Sequence, residues 1–441
     1  MKGMKDPGRR AVFSWALYDW ANSAFATTVM AGFFPIFFKQ YWCAGMDSTV
    51  STARLGMGNS LSGIVIALAS PVLGAIADKG TAKKRFLVFF ALTGIIMTSS
   101  MVLIPKGAWM LALGVYTLAI IGFLGGNVFY DSLLPGVASG TRMHFVSSLG
   151  FSLGYLGGGL LFAFNVWMTL KPSLFGLSNA SQAVRLSFLS VGIWWLVFST
   201  PLVLFVRERR SPGEALGIDM IKAGFRQLGQ TFRTIRRMKT IFLFLAAYWF
   251  YIDGVNTIVL MAVDYGLSIG FRANDLIPAL LITQFVGFPC ALLFGRLGQR
   301  IGAKRSILIA IGVYLIISVF GSFITFKYEF YILAVMIGFV QGGIQSLSRS
   351  FYARIIPEGR SAEYFGFYNM LGKFAVIIGP ILIGTTGLLL RNFGIVSTLA
   401  SRIGIVSISL LFLTGGILFS FVDEQKGIRE AAYLKNDQAY I

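Results

Sequence analysis

Two short patterns put acids inside apolar runs long enough to cross a bilayer. Trp15, Asp19, Asn22 and Ser23 are matched at identical spacing by Trp249, Asp253, Asn256 and Thr257. Residues three apart share a helix face, so each pattern aims a carboxylate and an amide in one direction. A charge at mid-bilayer costs roughly 2.5–3.5 kcal/mol on insertion scales and is by default a candidate for function. Shielding from water moves a carboxylate's proton exchange toward neutral pH. Asp19, Asn22, Asp253 and Asn256 are therefore expected to bind a substrate or a coupling proton, from opposite walls of one cavity. The alternative is that each Asp only accepts hydrogen bonds from a neighbouring helix and fixes its packing. Tyr18 and Tyr251 flank the acids, as do Trp15, Trp20, Tyr248 and Trp249, and offer surfaces on which a solute can stack.

Further along, Lys373 lies in an apolar run with Asn369 one turn before it. Its ammonium can neutralise a carboxylate, hold a substrate carboxylate, or snorkel to the cytoplasmic surface. A second group reads as a gate: Asp78 with Arg85 as a breakable ion pair, Asn127 and Asp131 at four-residue spacing, and Arg349. Asp131 is expected near the surface, at the cytoplasmic end of its helix. An exposed ion pair contributes little to stability, so such contacts act on conformational populations.

These residues need long apolar helices to position them. Of 441 residues, 56% are hydrophobic and 13% charged, and mean hydropathy is +0.74. A soluble domain carries about 25% charge, so most of this surface must face lipid. Runs of about 20 apolar residues span a bilayer. They fall near 11–38, 55–77, 86–104, 108–134, 143–169 and 184–206, and again near 241–263, 275–298, 306–326, 330–352, 363–389 and 402–422. The first run is not a cleaved leader, because Asp19 and Asn22 interrupt it and it continues past Ala24-Phe25-Ala26. The expected fold is an all-α membrane protein of twelve transmembrane helices. Its parts are a six-helix bundle over 1–206, a linker over 207–240, a second bundle over 241–425, and a tail over 426–441.

The 38 Lys and Arg against 18 Asp and Glu cluster in the short connections, as after Asp78 and after Gln299, while Lys106 stands alone. That asymmetry places both termini in the cytoplasm of a cell (inner) membrane, with the basic loops meeting anionic lipid rather than nucleic acid. In the linker, Ile218, Ile221, Phe225, Leu228, Phe232 and Ile235 alternate with arginines, the pattern of an amphipathic helix on the membrane surface, with a solvated linker as the alternative. Gly150, Gly154 and Gly158 are spaced for close helix packing. Two isolated cysteines exclude a disulfide framework or a thiolate metal site. The single histidine, His144, reads as a solvated loop residue. No nucleotide-binding motif is present, no cofactor or metal is expected, and an enzyme lacks a nucleophile–base pair to work with.

The halves repeat one another. Besides the acid pattern, Gly74, Asp78, Gly80 and Lys83-Lys84-Arg85 correspond to Gly295, Gln299, Gly302 and Lys304-Arg305, and Ile121-Gly122-Phe123 to Ile337-Gly338-Phe339. A parallel repeat implies two bundles related by pseudo-two-fold symmetry, with solute bound between them near the midplane. The Gly74–Arg85 segment resembles the loop signature of the major facilitator superfamily. The run from Tyr18 to Phe25 resembles that superfamily's vacuole-effluxer branch, which includes an autophagy-related vacuolar amino-acid exporter. Asn127–Pro135, Asp253–Thr257 and Gln341–Ser350 support the likeness. Gln299, where the first half has Asp78, departs from the pattern. The resemblance implies a monomeric secondary transporter moving a small polar solute, an amino acid first, by alternating access with possible proton coupling. Another solute class (sugar or drug), or a scaffold or receptor without flux, stands as the alternative.

Overall fold

A computed structural model describes residues 8–46, 48–79, 82–208, 233–235, 238–271, 273–375, 378–394 and 397–437. The amphipathic helix expected in the linker lies largely outside them. Every described element is helical, as hydrocarbon demands of a chain that must satisfy its own backbone. The first six crossings are built from α1 (Arg9–Ala24), α2 (Phe34–Phe37), α3 (Ser48–Lys79), α4 (Lys83–Ser100), α5 (Trp109–Val137), α6 (Arg142–Leu170) and α7 (Ala180–Phe205). The remainder comprises α8 (Lys239–Ser268), α9 (Ala273–Ile301), α10 (Ala303–Gly321), α11 (Lys327–Ile355), α12 (Ser361–Phe374), α13 (Ile378–Asn392), α14 (Ser397–Ser407), α15 (Ser409–Ser420) and α16 (Glu424–Asp437).

Among the described residues, 11 helical segments are long and apolar enough to cross a membrane. The first runs from Arg9 to Trp42 without interruption. Wide π turns occupy Phe25–Phe33 and Phe38–Trp42, on either side of α2 with its Pro35; a proline removes a backbone donor and loosens the local helix. The expected eleventh span, 363–389, is instead two helices, α12 and α13. Ala375 leaves the helical region with ψ 38°, and its N–H closes the last turn on the Leu371 carbonyl.

The chain divides into two compact units. One contains Met1–Ala138, Leu153–Gly224 and Ala362–Phe367; the other contains Ser139–Ser152, Phe225–Ser361 and Tyr368–Ile441. In the first, α6 lies against α1 at its glycines: a Cβ on Gly154 would stand 2.6 Å from Ser23 Oγ, and one on Gly158 2.9 Å from the Ser23 carbonyl. Backbones this close admit no side chain.

Both units fasten their third and sixth crossings in the same way. In the first, Lys84 donates to the Val203 and Val206 carbonyls at 2.7 and 2.8 Å. At the opposite end Arg185 donates from Nε and Nη2 to the Val102 carbonyl at 2.8 and 2.5 Å. In the second, Lys304 reaches the Ser420 carbonyl at 2.6 Å, and Arg402 holds those of Ser322 and Ile324 at 3.0 and 2.7 Å. Cations at helix C-termini satisfy carbonyls that have no partner within the helix. The repeat visible in sequence is thus also a repeat of staples. Arg402→Met should cost about 2 kcal/mol, the worth of hydrogen bonds to a charged group. Thermal denaturation of the purified protein should show a melting point lowered by a few degrees, whereas an unchanged midpoint would remove the staple from the stability of the fold.

Candidate functional site

In the first unit the acid pattern meets α5. Asp19, half-buried, accepts a hydrogen bond from the Tyr130 hydroxyl at 2.8 Å. Trp15 fixes that tyrosine: its indole N–H donates to the Tyr130 carbonyl at 3.1 Å, and the rings stack at 4.4 Å. One turn on, the Asn22 amide donates to Asn127 Oδ1 at 2.6 Å. Asn127 therefore sits with the acid pattern, in contact with a residue expected to bind solute. Tyr18 is fully buried, and a Cβ on Gly126 would lie 2.6 Å from its hydroxyl. It faces into the unit and packs at 5.0 Å from the Tyr130 ring. Asp131 is buried, not superficial; α5 continues to Val137, so a residue expected at the helix end lies well inside it.

The same pattern does different work in the second unit. Asp253, fully buried, accepts the backbone N–H groups of Ile378 and Gly379, each at 3.0 Å, and the Thr257 hydroxyl at 3.1 Å. Those amides are the first two of α13. Asn256 donates to the Gly372 carbonyl, near the end of α12, at 3.5 Å. The Asp-x-x-Asn pair thus bridges the gap in span eleven, serving donors on one side and an acceptor on the other. Lys373 is half-buried in the last turn of α12, where the helix dipole favours a cation. The Tyr251 hydroxyl is buried and shares a hydrogen bond with Ser348 Oγ at 2.7 Å.

Asp78 is also a cap. Its carboxylate accepts the N–H groups of Ala362 and Glu363, at 3.2 and 2.8 Å, in the first turn of α12. A Cβ on Gly74 would stand 2.3 Å from the Ala362 carbonyl oxygen, so only glycine lets the two helices approach this closely. The ion-pair partner of Asp78 is Lys83 at 2.7 Å, not Arg85. Lys83 opens α4 beside the turn, whereas Arg85 is exposed on the outer face.

Arg349 is buried on α11, where it donates to the Ser147 hydroxyl and carbonyl, both at 2.8 Å, and lies 4.4 Å over the Phe151 ring. Ser147 in turn donates to the Ser346 carbonyl at 2.7 Å, and Ser148 and Ser346 share a bond at 2.8 Å. His144 extends this ladder and is fully buried in α6, contrary to its reading as a solvated loop residue. The reason is its packing against α11, where Ser350 and Arg354 take up both ring nitrogens. Nε2 of His144 faces Arg354 Nη1 at 3.0 Å. Arginine has no acceptor, so Nε2 accepts and Nδ1–H donates to Ser350 Oγ at 2.8 Å. Arg354 also pairs with Glu424 at the start of α16. Sequence reasoning missed this ladder, although hydroxyls recurring within two apolar runs were its visible sign.

The family described as vacuole effluxer Atg22 like matches residues 43–432. The chain belongs to the Atg22-like vacuole effluxer family. Among its relatives, an uncharacterised MFS-type transporter, YxiO, of Bacillus subtilis is 38% identical over 93% of this chain and 94% of its own. Autophagy-related protein 22 of Eremothecium gossypii is 23% identical over 85% of each. Among solved structures, the human organic anion transporter MFSD10 superposes with a TM-score of 0.72 at 14% identity, covering 94% of this chain and 100% of its own. The proton:xylose symporter XylE gives 0.69 at 13% identity, covering 96% and 97%. At such identities the likeness establishes the twelve-helix fold of the major facilitator superfamily. The chain is an MFS-type transporter, not an enzyme.

For this effluxer-family chain, Gln299 shows what the departure from the Asp78 pattern means. An amide stands where the first half has a carboxylate, and it donates to the Thr141 carbonyl at 3.5 Å. The bridging role of Asp253 has a direct check. Asp253→Ala should leave the first amides of α13 without acceptors in an apolar setting, at about 1.5–3 kcal/mol for each lost charge-assisted bond. Hydrogen exchange followed by mass spectrometry should then speed up across 378–382. Unchanged protection there would show that another group closes the gap.

Proposed function

We propose that this chain moves a small polar solute, an amino acid first among candidates, across a membrane by alternating access with proton coupling at Asp19. The observation that carries the reading is the half-buried Asp19 carboxylate, held by Tyr130 beside the Asn22–Asn127 pair within apolar helices. An acid kept there against the cost of hydrocarbon is suited to a cationic group or a proton. Asn22 and Asn127 add neutral donors and acceptors for a zwitterion. Lys373 is the proposed partner for its carboxylate. Asp253 and Asn256 act on the solute indirectly, by holding the two helices of span eleven in register. Asp78, Asp131 and Arg349 form the proposed gate, in which capping and hydroxyl contacts exchange as the protein changes state, and Arg85 acts on it only through the surface charge of its loop. Tyr18, buried, supports the site through its packing on Tyr130, and Tyr251, buried in the second unit, acts through its bond to Ser348. The family names of the relatives favour export. Both termini are proposed to be cytoplasmic, in a cell (inner) membrane, with the monomer as the working unit.

Counterflow in proteoliposomes tests the solute and the coupling together. Loaded amino acids should drive uptake of labelled amino acid, while sugars should not. Asp19→Asn should abolish the pH dependence of flux and lower its rate by about tenfold or more, the scale expected of a lost proton-transfer group. Counterflow confined to sugars would replace the solute class. Full pH-dependent flux in Asp19→Asn would remove the coupling role.

A further inference from the structure

We propose that the first unit carries a second site, for an oxyanion (a carboxylate or phosphate group), at its end opposite the N-terminus. A cavity of about 460 Å³ opens there between the end of the first crossing, the turn before α5 and the start of α7. Its walls include Gln40, Tyr41, Lys106, Asn179, Gln182 and Arg185. The volume falls within the range of small-molecule sites.

Three observations give the cavity its sign. First, the stretches that form it, 37–42, 104–109 and 171–185, contain no Asp or Glu. Second, its neutral groups are turned to donate. Asn179 Oδ1 accepts the Gln182 N–H at 3.0 Å, and Gln182 Oε1 accepts the Ser178 N–H at 2.9 Å. Both side-chain oxygens are thus committed to backbone, and the NH2 groups remain. Arg185 commits Nε and Nη2 to Val102, which leaves Nη1 for the cavity. Third, the second unit supplies an internal comparison. Arg402 likewise binds carbonyls at the end of the third crossing of its unit, those of Ser322 and Ile324, but there a carboxylate, Glu329, lies within its electrostatic reach. Glu329 is anchored by the N–H groups of Thr325 and Phe326 at 2.6 and 2.9 Å. That connection also carries a cation, Lys327, whereas the corresponding connection of the first unit carries Lys106 and no carboxylate. One arginine and its neighbouring lysine have a counter-charge built in; the other pair meets at a donor-lined cavity without one. Charge-assisted hydrogen bonds from a guanidinium, an ammonium and two amides are the chemistry that selects carboxylate or phosphate. The ligand is a free small anion or the headgroup of an anionic lipid.

The test uses the full-length purified protein and reads binding, so its result is independent of solute transport. Inorganic phosphate and acetate, titrated at constant ionic strength against chloride, should raise the melting temperature if the source is a free anion. In nanodiscs, phosphatidylglycerol should do so relative to phosphatidylcholine if the source is a lipid. Lys106→Gln, at an exposed position, should weaken whichever response is seen by about fivefold, the share of one charge-assisted contact. Lys106→Glu supplies the missing carboxylate internally; it should raise the ligand-free melting temperature and abolish the response. If neither probe stabilises the natural protein, or if Lys106→Glu keeps the full response, the site does not exist.

Discussion

A backbone amide inside hydrocarbon must find an acceptor, and in this protein the demand is concentrated in the interrupted eleventh crossing. Two helices there each begin with N–H groups that no preceding turn can satisfy. Asp78 takes those of α12, and Asp253 takes those of α13. For Asp253, inside its span, the balance favours the arrangement. Inserting an aspartate costs roughly 2.5–3.5 kcal/mol, while each hydrogen bond to a charged acceptor returns about 1.5–3. Asp253 accepts two such amides and the Thr257 hydroxyl, so its charge is stabilised by the helix end that it in turn stabilises. Within each unit, a carboxylate from a different helix decides where a half-helix starts.

That division separates the duplicated acids. Asp19 and Asp253 occupy equivalent places in a repeated motif, yet the helix across from Asp19 is unbroken. The α6 backbone approaches α1 through Gly154 and Gly158 and presents no open amides. Asp19 accordingly takes a tyrosine hydroxyl and stays half-buried, whereas Asp253 becomes part of the frame. Duplication supplied two intramembrane acids, and the break in one of the facing helices consumed the second. The proposed binding role therefore falls on the first unit, with Asn127 added to it.

Much of this was legible in the residues alone. Apolar runs of spanning length, basic connections and three repeated motifs were sufficient for the twelve-helix architecture, because hydrocarbon admits so few alternatives. The break left a sign as well, Pro380 in the first turn of α13, where a helix tolerates proline, but hydropathy sums over it and sees one span. The partner of Asp78 was harder. Lys83 and Arg85 differ only in the face of α4 on which they stand, and that phase depends on where α4 begins. His144 failed for another reason: its burial follows from Ser350 and Arg354 of α11, some two hundred residues away, which no local pattern encodes. Asp19 itself was readable because a charge in hydrocarbon is conspicuous wherever it occurs.

The contacts that hold the units firm differ in kind from those proposed to change. Lys84, Arg185, Lys304 and Arg402 all bind backbone carbonyls at helix ends. Such pairings cannot be lost without exposing both a cation and a carbonyl, so they keep the third and sixth crossings of each unit together. Along α6 and α11 the contacts are mostly hydroxyls, Ser147 and Ser148 to Ser346 and His144 to Ser350. Interhelical bonds of this type in membranes average about 0.6 kcal/mol, and water can replace them at little cost. Arg349 is the exception, but its partners are again a serine hydroxyl and a carbonyl, and its guanidinium keeps a planar stack on Phe151. Alternating access, as proposed, requires some helices to stay fixed while others part and rejoin. On the proposed reading, charge-to-backbone staples serve the helices that stay together and hydroxyl ladders those that part, each according to what its bond costs to break.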